Sequence, residues 1–248
     1  MNVTGSLATS TPMKRMVESS LIANFAPVAL ETRRALRHEV VRRLLLEIFR
    51  GNLPAGTRLI TQKLSKQLGV SATPLREALV ELESIGMVEI SHNRGAVAAA
   101  FGPAELRGIY QLRRVLETEA ARCACGRINR EVLIASLEEM REYAGRRSKS
   151  AAWLQSVMAA DARFHATIAV ACDSPRLARE IDRYALLIQT ISEAIGNKFR
   201  SKEDGIREHI AILEALLTED SDRCATAMAQ HIEATANRAM GVMFPESR

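Results

Sequence analysis

GVSATPLREAL, residues 69–79, is the stretch of sequence on which the predicted fold depends. A short helix over residues 61–68 is expected to end at Gly69, because a residue without a Cβ atom tolerates the positive φ of a sharp turn. Ser71 and Thr73 can then cap a second helix, which begins directly after the turn. Two short helices joined at a glycine turn predict a helix-turn-helix. The alternative interpretation is an ordinary helical hairpin packed within a core.

The second helix of this motif has one apolar face and one polar face. Its apolar residues recur at helical spacing, and they are Leu75, Ala78, Leu79, Leu82 and Ile85. Ser71, Thr73 and Arg76 are left on the outward side, near the helix N-terminus. In a helix-turn-helix the N-terminal end of the second helix enters the major groove of DNA. The spacing therefore leaves three polar side chains at the end of the helix that faces DNA.

Two short apolar stretches follow the helix-turn-helix. MVEIS (87–91) and AVAAA (96–100) predict two strands, joined by a hairpin turn at residues 92–95, His-Asn-Arg-Gly. A helix-turn-helix followed by such a hairpin is a winged helix-turn-helix. The wing would carry Arg94 to a neighbouring groove or phosphate while the recognition helix occupies the major groove. For Arg94 the alternative is a solvated loop charge.

The positive charge of the chain is confined to the part that holds this motif. The net charge is +5. Residues 1–101 contain 13 Lys and Arg against 8 Asp and Glu, whereas residues 102–248 contain 21 of each kind. A basic module beside a neutral one predicts that the first binds a polyanion, such as double-stranded DNA, and that the second does not.

Composition favours a protein of the cytoplasm. The hydrophobic fraction is 47%, yet no apolar run approaches the ~20 residues that a membrane span requires. The N-terminal sequence lacks the basic-then-apolar order of a secretory signal. The four cysteines show neither a C-x-x-C motif nor the spacing of a disulfide scaffold, which fits a reducing compartment. We therefore predict a cytoplasmic location and no membrane partner.

The chain divides into three predicted regions. Residues 1–29 are rich in Ser, Thr and Ala without sustained periodicity, which predicts a mostly disordered tail, although its apolar stretch could instead dock onto the body. Residues 30–101 form the winged helix-turn-helix domain. Residues 102–248 show helical periodicity and no strand signal, so we predict a mainly α protein that ends in an all-α antiparallel bundle. The six predicted bundle helices span residues 103–126, 129–146, 151–172, 175–196, 204–218 and 222–240.

Three of the five histidines lie in the predicted bundle, close to an aspartate. Asp161 and His165 are four residues apart, so their side chains leave the same face of one helix. His209 and His231 lie on the last two helices, each 11 residues from the turn near Asp220, which is about 16 Å along each helix. In an antiparallel hairpin these two histidines are therefore level. If the pair faces the helix of Asp161, three imidazoles and a carboxylate converge inside the bundle.

Three histidines and one aspartate suit a divalent transition metal ion such as zinc, nickel or manganese, with coordination positions left for water or a ligand. The alternatives are an Asp161–His165 ion pair and histidines that simply pack in the core. An open zinc site also suggests a hydrolase, since metal-bound water is a nucleophile. However, no HExxH or other hydrolytic signature is present, and Glu208 should point away from its neighbour His209. We therefore predict that the protein is not an enzyme.

Two parts of the sequence resemble a known family. LITQKLSKQLGVSATPLREALVELESIGMVEISHNRGAVA, residues 59–98, resembles the DNA-binding domain of GntR-type transcription regulators. RRVLETEA (113–120) and DARFHATIAVACDSPRL (161–177), together with His209 and His231, resemble the C-terminal effector domain of the FadR subgroup, the FCD domain. The resemblance covers about residues 30–240. It implies a homodimer that binds a pseudo-palindromic DNA operator and is released or retuned by a small effector.

The resemblance also implies which residues contact DNA. They are Ser71, Thr73 and Arg76 in the recognition helix, and Arg94 and Gly95 in the wing. Two positions depart from the family pattern: Ser174 replaces the usual Asn before Pro175, with little expected effect because Ser caps a helix comparably well, and Ala72 stands where many relatives have an arginine that contacts DNA. The departure at Ala72 implies a different or weaker operator.

In the FCD domain the resemblance implies a metal site and an effector pocket. The residues that match the metal ligands are Asp161, His165, His209 and His231. Arg113 matches an arginine near the effector pocket, where a metal ion and a guanidinium would hold a small carboxylate between them. An ordinary ion pair with Glu117 is the alternative role of Arg113. The predicted function is a DNA-binding transcription regulator controlled by a small organic acid, and a metal-responsive regulator without an organic effector is the alternative.

Overall fold

A computed structural model describes residues 33–91, 95–147, 150–195 and 199–245 of the protein. The chain forms two compact units, and the division between them falls at Ala99 and Ala100. The predicted tail over residues 1–29 and the tip of the predicted wing, residues 92–94, lie outside the described ranges.

The N-terminal unit begins with three helices, which are α1 (Arg33–Phe49), α2 (Thr61–Leu68) and α3 (Ala72–Ser84). Gly69 ends α2 with a φ of 67°, and its backbone N–H donates to the carbonyl oxygen of Ser65. The glycine turn of the predicted helix-turn-helix is therefore confirmed. Ser71 takes the N-cap position of α3, but its side chain makes no capping hydrogen bond, and Thr73 lies inside the first turn. The predicted hydroxyl cap is wrong, so α3 starts without help from either side chain.

The core of this unit lies where α1 packs against α3. All five residues of the apolar face that was predicted for the second helix of the motif are buried. The buried residues that α1 contributes are Val40, Val41, Leu44, Leu45, Leu46 and Ile48. The apolar face of α3 is buried in this core. The opposite face, which includes Arg76, is therefore exposed to solvent.

The two predicted strands form an antiparallel hairpin, β1 (Val88–Ser91) and β2 (Gly95–Ala98). Ser91 pairs with Gly95 at one end of the hairpin, and Val88 pairs with Ala98 at the other. Gly95 has a φ of 70°, a left-handed conformation that glycine adopts without strain. The hairpin directly follows the helix-turn-helix, so the predicted winged helix-turn-helix is confirmed.

The C-terminal unit is helical throughout its described residues. Its helices are α4 (Pro103–Ala124), α5 (Arg130–Gly145), α6 (Ala151–Ala171), α7 (Pro175–Ala194), α8 (Phe199–Leu217) and α9 (Ser221–Met243). Four of these helices begin at a residue whose side chain accepts a hydrogen bond from a first-turn N–H, and these residues are Asn129, Ser150, Ser174 and Asp220. The predicted all-α domain is confirmed.

One helix begins earlier than the sequence predicted. α8 starts at Phe199 rather than near residue 204, and the polar run that follows Phe199 gave no apolar repeat that would mark a helix. α4 packs along α9, and α8 packs against both α9 and α5. None of the described helices is both long and apolar enough to cross a membrane.

Candidate metal centre and recognition helix

Three histidines from three helices of the C-terminal unit meet at one point. His165 comes from α6, His209 from α8 and His231 from α9. One ring nitrogen of each histidine lies within 4.8 Å of the other two, and Nε2 of His209 is 3.3 Å from Nε2 of His231. The level spacing of His209 and His231 about the turn near Asp220 accounts for their pairing. The structure therefore shows the convergence of three imidazoles that the sequence predicted.

The two facing imidazoles are buried and uncharged. His209 is 2% exposed and His231 is 4% exposed. Burial lowers the pKa of His209 well below its ordinary value, and the neighbouring imidazoles His231 and His165 lower it further. Burial also lowers the pKa of His231, against the opposing effect of Glu208. Neutral imidazoles carry the lone pair that a metal ion binds.

Glu208 fixes the orientation of His231. Its Oε2 lies 2.8 Å from Nδ1 of His231, and its two carboxylate oxygens accept hydrogen bonds of 2.6 and 2.7 Å from the Arg238 guanidinium. Burial alone would raise the pKa of Glu208, but the hydrogen bonds from Arg238 and His231 lower it to about 2. An ionised carboxylate keeps the ring proton on Nδ1, so Nε2 of His231 presents a lone pair to the cluster.

A second carboxylate holds His165 in the same way. Glu117 is 6% exposed, and its Oε2 lies 2.5 Å from Nδ1 of His165. Its Oε1 accepts a hydrogen bond of 2.5 Å from Nε of Arg113. Burial opposes the ionisation of Glu117, yet Arg113 and His165 together hold its pKa well below the usual range. The ion pair between Arg113 and Glu117, one of the two roles that the sequence suggested for Arg113, is therefore formed.

Arg113 and Asp161 both reach the edge of the cluster. A terminal nitrogen of Arg113 donates to Nε2 of His165 over 3.1 Å. Asp161 lies one helical turn before His165, with Oδ1 at 3.5 Å from Nε2 of His209. The structure thus brings the predicted fourth ligand and the predicted effector-binding arginine to the histidines. Their roles as ligand and effector contact stay predictions.

The chemistry of this donor set fits a divalent transition metal ion. His209 and His231, whose Nε2 atoms face each other, would both supply a lone pair to such an ion. Imidazole nitrogens and a carboxylate oxygen are ligands that zinc, nickel and manganese share. Carboxylates that lie 2.8 Å from Nδ1 of His231 and 2.5 Å from Nδ1 of His165 supply the outer shell that orients such ligands. The cluster therefore has both the ligand atoms and the supporting groups of a metal site.

The recognition helix α3 presents its predicted polar residues to solvent. Ser71, Thr73 and Arg76 are all exposed. Two of the three acidic residues of this helix form salt bridges with α1, Glu77 with Arg33 and Glu81 with Arg37. These salt bridges offset negative charge that would otherwise repel a phosphate backbone. Arg94, which was predicted to contact DNA from the wing, lies outside the described residues, whereas Gly95 is the first residue of β2.

Comparison with known families assigns both units of the chain. Residues 36–97 match the family described as bacterial regulatory proteins, gntR family, and residues 108–234 match the FCD domain. The chain belongs to the GntR family. It is a DNA-binding transcription regulator with an FCD domain, and not an enzyme.

Individual relatives of this GntR regulator agree with the assignment. It is 28% identical to a probable D-xylose utilization operon transcriptional repressor of Paenarthrobacter nicotinovorans over 205 aligned residues. The alignment covers 82% of this chain and 88% of that protein. It is 25% identical over 210 residues to the transcriptional repressor RspR of Escherichia coli, which covers 84% and 86% of the two chains. The solved structure of E. coli McbR/YncC shares the fold, with a TM-score of 0.60 and 23% identity over 86% of this chain and 99% of that one.

Sequence reasoning did not identify Glu208 and Arg238 as parts of the site. Glu208 was expected to point away from His209, and it binds His231 on the next helix instead. The level spacing that pairs the histidines contained the signal, because Glu208 and His231 lie 12 and 11 residues from the turn near Asp220. Arg238 gave no comparable signal, since its partner is 30 residues away.

Proposed function

We propose that this GntR regulator is a dimeric repressor, and that a small organic acid bound beside a metal ion in the FCD domain controls its affinity for operator DNA. The observation that carries the proposal is the buried three-histidine cluster, which adjoins a cavity lined by cationic side chains. The names of two relatives, both described as transcriptional repressors, support repression as the outcome.

For the DNA-binding half, the proposal assigns residues 30–101 to a domain that holds one operator half-site. The residues that contact DNA are Ser71, Thr73, Arg76, Arg94 and Gly95. The second protomer of a homodimer holds another half-site about one helical turn away. The exposed polar face of α3 and the net positive charge of residues 1–101 support this arrangement.

For the effector half, residues 102–248 hold the metal ion and form the dimerisation domain. The four ligands are Asp161, His165, His209 and His231. When bound, the ion supplies positive charge and open coordination positions for a carboxylate. Arg113 contacts the same carboxylate from the side of His165, where its terminal nitrogen already lies. Glu117 keeps Arg113 in place through a hydrogen bond, and its other carboxylate oxygen lies 2.5 Å from Nδ1 of His165.

Control of DNA binding follows from linkage between the two domains. An acid that binds one arrangement of the domains more tightly than another shifts the affinity for DNA, and DNA shifts the affinity for the acid by the same factor. Such couplings are typically about 1–3 kcal/mol, which is roughly a 5- to 150-fold change in affinity. The test is a titration of DNA binding by the metal-loaded protein with short carboxylic acids. Release of DNA by an acid at constant metal content supports the proposal.

A metal-responsive regulator, in which the ion itself is the signal, is the second candidate. The cavity that His209 and His231 line is small, about 60 Å³, which favours this candidate, whereas a second cavity of about 300 Å³ lies against His165 and Asp161 and has room for an organic acid. The two are separated by measuring DNA affinity with metal alone and then with acids added. A full response to metal alone, unaltered by any acid, would establish the second candidate in place of the first.

Glu208→Gln is expected to weaken metal binding by about 10- to 100-fold, because an outer-shell carboxylate orients His231 and fixes its tautomer. The amide keeps the size of the side chain but loses the charge that holds the proton on Nδ1. Metal affinity is measured by competition with a chromophoric chelator. Glu214→Gln, which removes a half-exposed carboxylate of the same helix, serves as the control. Equal metal affinity of Glu208→Gln and the wild type would show that Glu208 does not support the site.

A further inference from the structure

Among the described residues that line the cavity beside His209 and His231, one cation has no carboxylate partner. Three cationic side chains line it, and they are Arg113, Lys202 and Arg238. Arg113 is paired with Glu117, and Arg238 is paired with Glu208. Lys202, on α8, donates a hydrogen bond from Nζ to the hydroxyl of Ser192 on α7, and it forms no salt bridge within the described part of the chain.

A lysine in this position is costly unless an anion reaches it. Burial lowers the pKa of Lys202, and the charge of Asp161 only partly opposes that effect. A hydroxyl accepts one hydrogen bond but neutralises no charge, whereas the ammonium group has three donors. Lys202 is half-buried, and charges withdrawn from water are generally paired. The Lys202 ammonium and the Ser192 hydroxyl therefore offer hydrogen-bond donors to an anion, and both residues line the same cavity as His209 and His231.

The charged groups around the cavity determine the net charge that a ligand must carry to neutralise them. The Arg113–Glu117 and Arg238–Glu208 pairs are each neutral overall, and imidazoles that bind a metal ion do so in the neutral form. Asp161 contributes one negative charge and Lys202 one positive charge, so a divalent ion leaves an excess of two positive charges. A monocarboxylate removes half of this excess, whereas a dianion removes all of it.

We infer that Lys202 and Ser192 bind a second acidic group of the effector, so that the cavity selects short dicarboxylates over monocarboxylates. This inference rests on the proposed function, because the first carboxylate of the acid is the one assigned to the metal ion and Arg113. The cavity that Lys202 and Ser192 line is about 60 Å³, which has room for about four to six water-sized groups and so for one carboxylate. The rest of the acid has room beside Arg113, Asp161 and His165, which line a second cavity of about 300 Å³.

The inference is tested by isothermal titration of the metal-loaded, full-length protein with matched pairs of acids. Malonate is compared with propionate and succinate with butyrate, since each pair differs only by a methyl group in place of one carboxylate. The wild type is expected to bind one of the diacids at least about 10-fold more tightly than its monoacid, because a hydrogen bond to a charged group contributes about 10- to 100-fold. Native mass spectrometry after each titration checks that the diacid has not removed the ion.

Lys202→Met is expected to abolish the preference for the diacid, because the second carboxylate loses its ammonium partner, whereas the affinity for the monoacid should fall much less. Methionine fills a similar volume without charge, and Lys202→Arg restores a cation and should restore part of the preference. Arg223→Met, which removes an exposed cation from α9, is the control and should bind both acids as the wild type does. Metal content and melting temperature are measured for each variant, so that loss of folding is not mistaken for loss of the diacid site.

The outcomes separate this inference from the proposed function. If diacid and monoacid bind the wild type equally, or if Lys202→Met keeps the full preference, the role of Lys202 is overturned and control by an organic acid stands. If no acid of the panel binds the metal-loaded protein, control by a short carboxylic acid fails, and the inference fails with it.

Discussion

Arg76→Ala is expected to lower the affinity of the protein for its operator DNA by about 100-fold or more. Arg76 is exposed on the polar face of α3, within the first turns after Ser71. An arginine that contacts a guanine in the major groove contributes about 1–3 kcal/mol, and a homodimer loses two such contacts. The affinity is measured by fluorescence anisotropy on duplexes that the wild-type protein has selected from a randomised pool. Metal content should be unchanged, because Arg76 lies in the other unit of the chain.

Two further variants define what Arg76 contacts. Arg76→Lys keeps the positive charge but loses the planar guanidinium fork, so it should retain a phosphate contact and lose a bidentate base contact. Arg223→Ala removes an exposed arginine from the FCD domain and controls for the loss of one charge. If Arg76→Ala binds the selected duplexes as tightly as the wild type, the assignment of α3 as the recognition helix is wrong. If Arg76→Lys binds normally and only the salt dependence of Arg76→Ala is reduced, Arg76 contacts phosphate rather than a base.

The winged helix-turn-helix was predictable because its determinants are close together in the sequence. Gly69 allows the left-handed turn, and the apolar residues of α3 recur at helical spacing, so a short stretch specifies both helices and the buried face. The hairpin followed from two apolar stretches with a glycine at the end of the turn. The prediction of a hydroxyl cap was wrong because a serine or threonine at the start of a helix can make the capping hydrogen bond but does not have to. Ser71 has the N-cap backbone conformation without the side-chain hydrogen bond.

The histidine cluster was predictable because helices are regular. Two residues equidistant from a tight turn between antiparallel helices must lie level, and this rule placed His209 beside His231. It gave no rotational information, so whether the pair faced the helix of His165 had to be left conditional. The structure shows that it does.

The charged groups around the cluster were not predictable from the sequence. Glu117 and His165 are 48 residues apart, and Lys202 and Ser192 belong to different helices. Such pairs depend on the rotation and tilt of whole helices, and every bundle helix here carries many charged residues. The charged residues that form a site are the ones that become buried, and burial is known only once the helices of the bundle are packed.

His209→Ala is expected to reduce metal binding from about one ion per chain to a level near zero at micromolar metal. His209 is the most buried of the three histidines, and its Nε2 faces both His231 and Asp161. Loss of an outer-shell partner already costs about 10- to 100-fold in metal affinity, so loss of a direct ligand should cost at least about 100-fold. Metal content is measured by native mass spectrometry and elemental analysis after loading with zinc, nickel or manganese. His38→Ala, which removes a histidine of the N-terminal unit, should bind metal as the wild type does.

Thermal denaturation distinguishes a lost metal site from a lost fold. A ligand at 100 times its dissociation constant stabilises the native state by about 2.7 kcal/mol, which raises the melting temperature of a domain of this size by roughly 5–10 °C. The wild type should therefore melt higher with metal than with a chelator, whereas His209→Ala should melt at one temperature in both conditions. The alanine also leaves a void beside Phe164, whose ring stacks on His209 at 4.4 Å, so His209→Gln is examined in parallel to keep the volume filled. If His209→Gln retains both the bound ion and the metal-dependent rise in melting temperature, His209 is a packed core histidine. The site would then have to be sought elsewhere in the FCD domain.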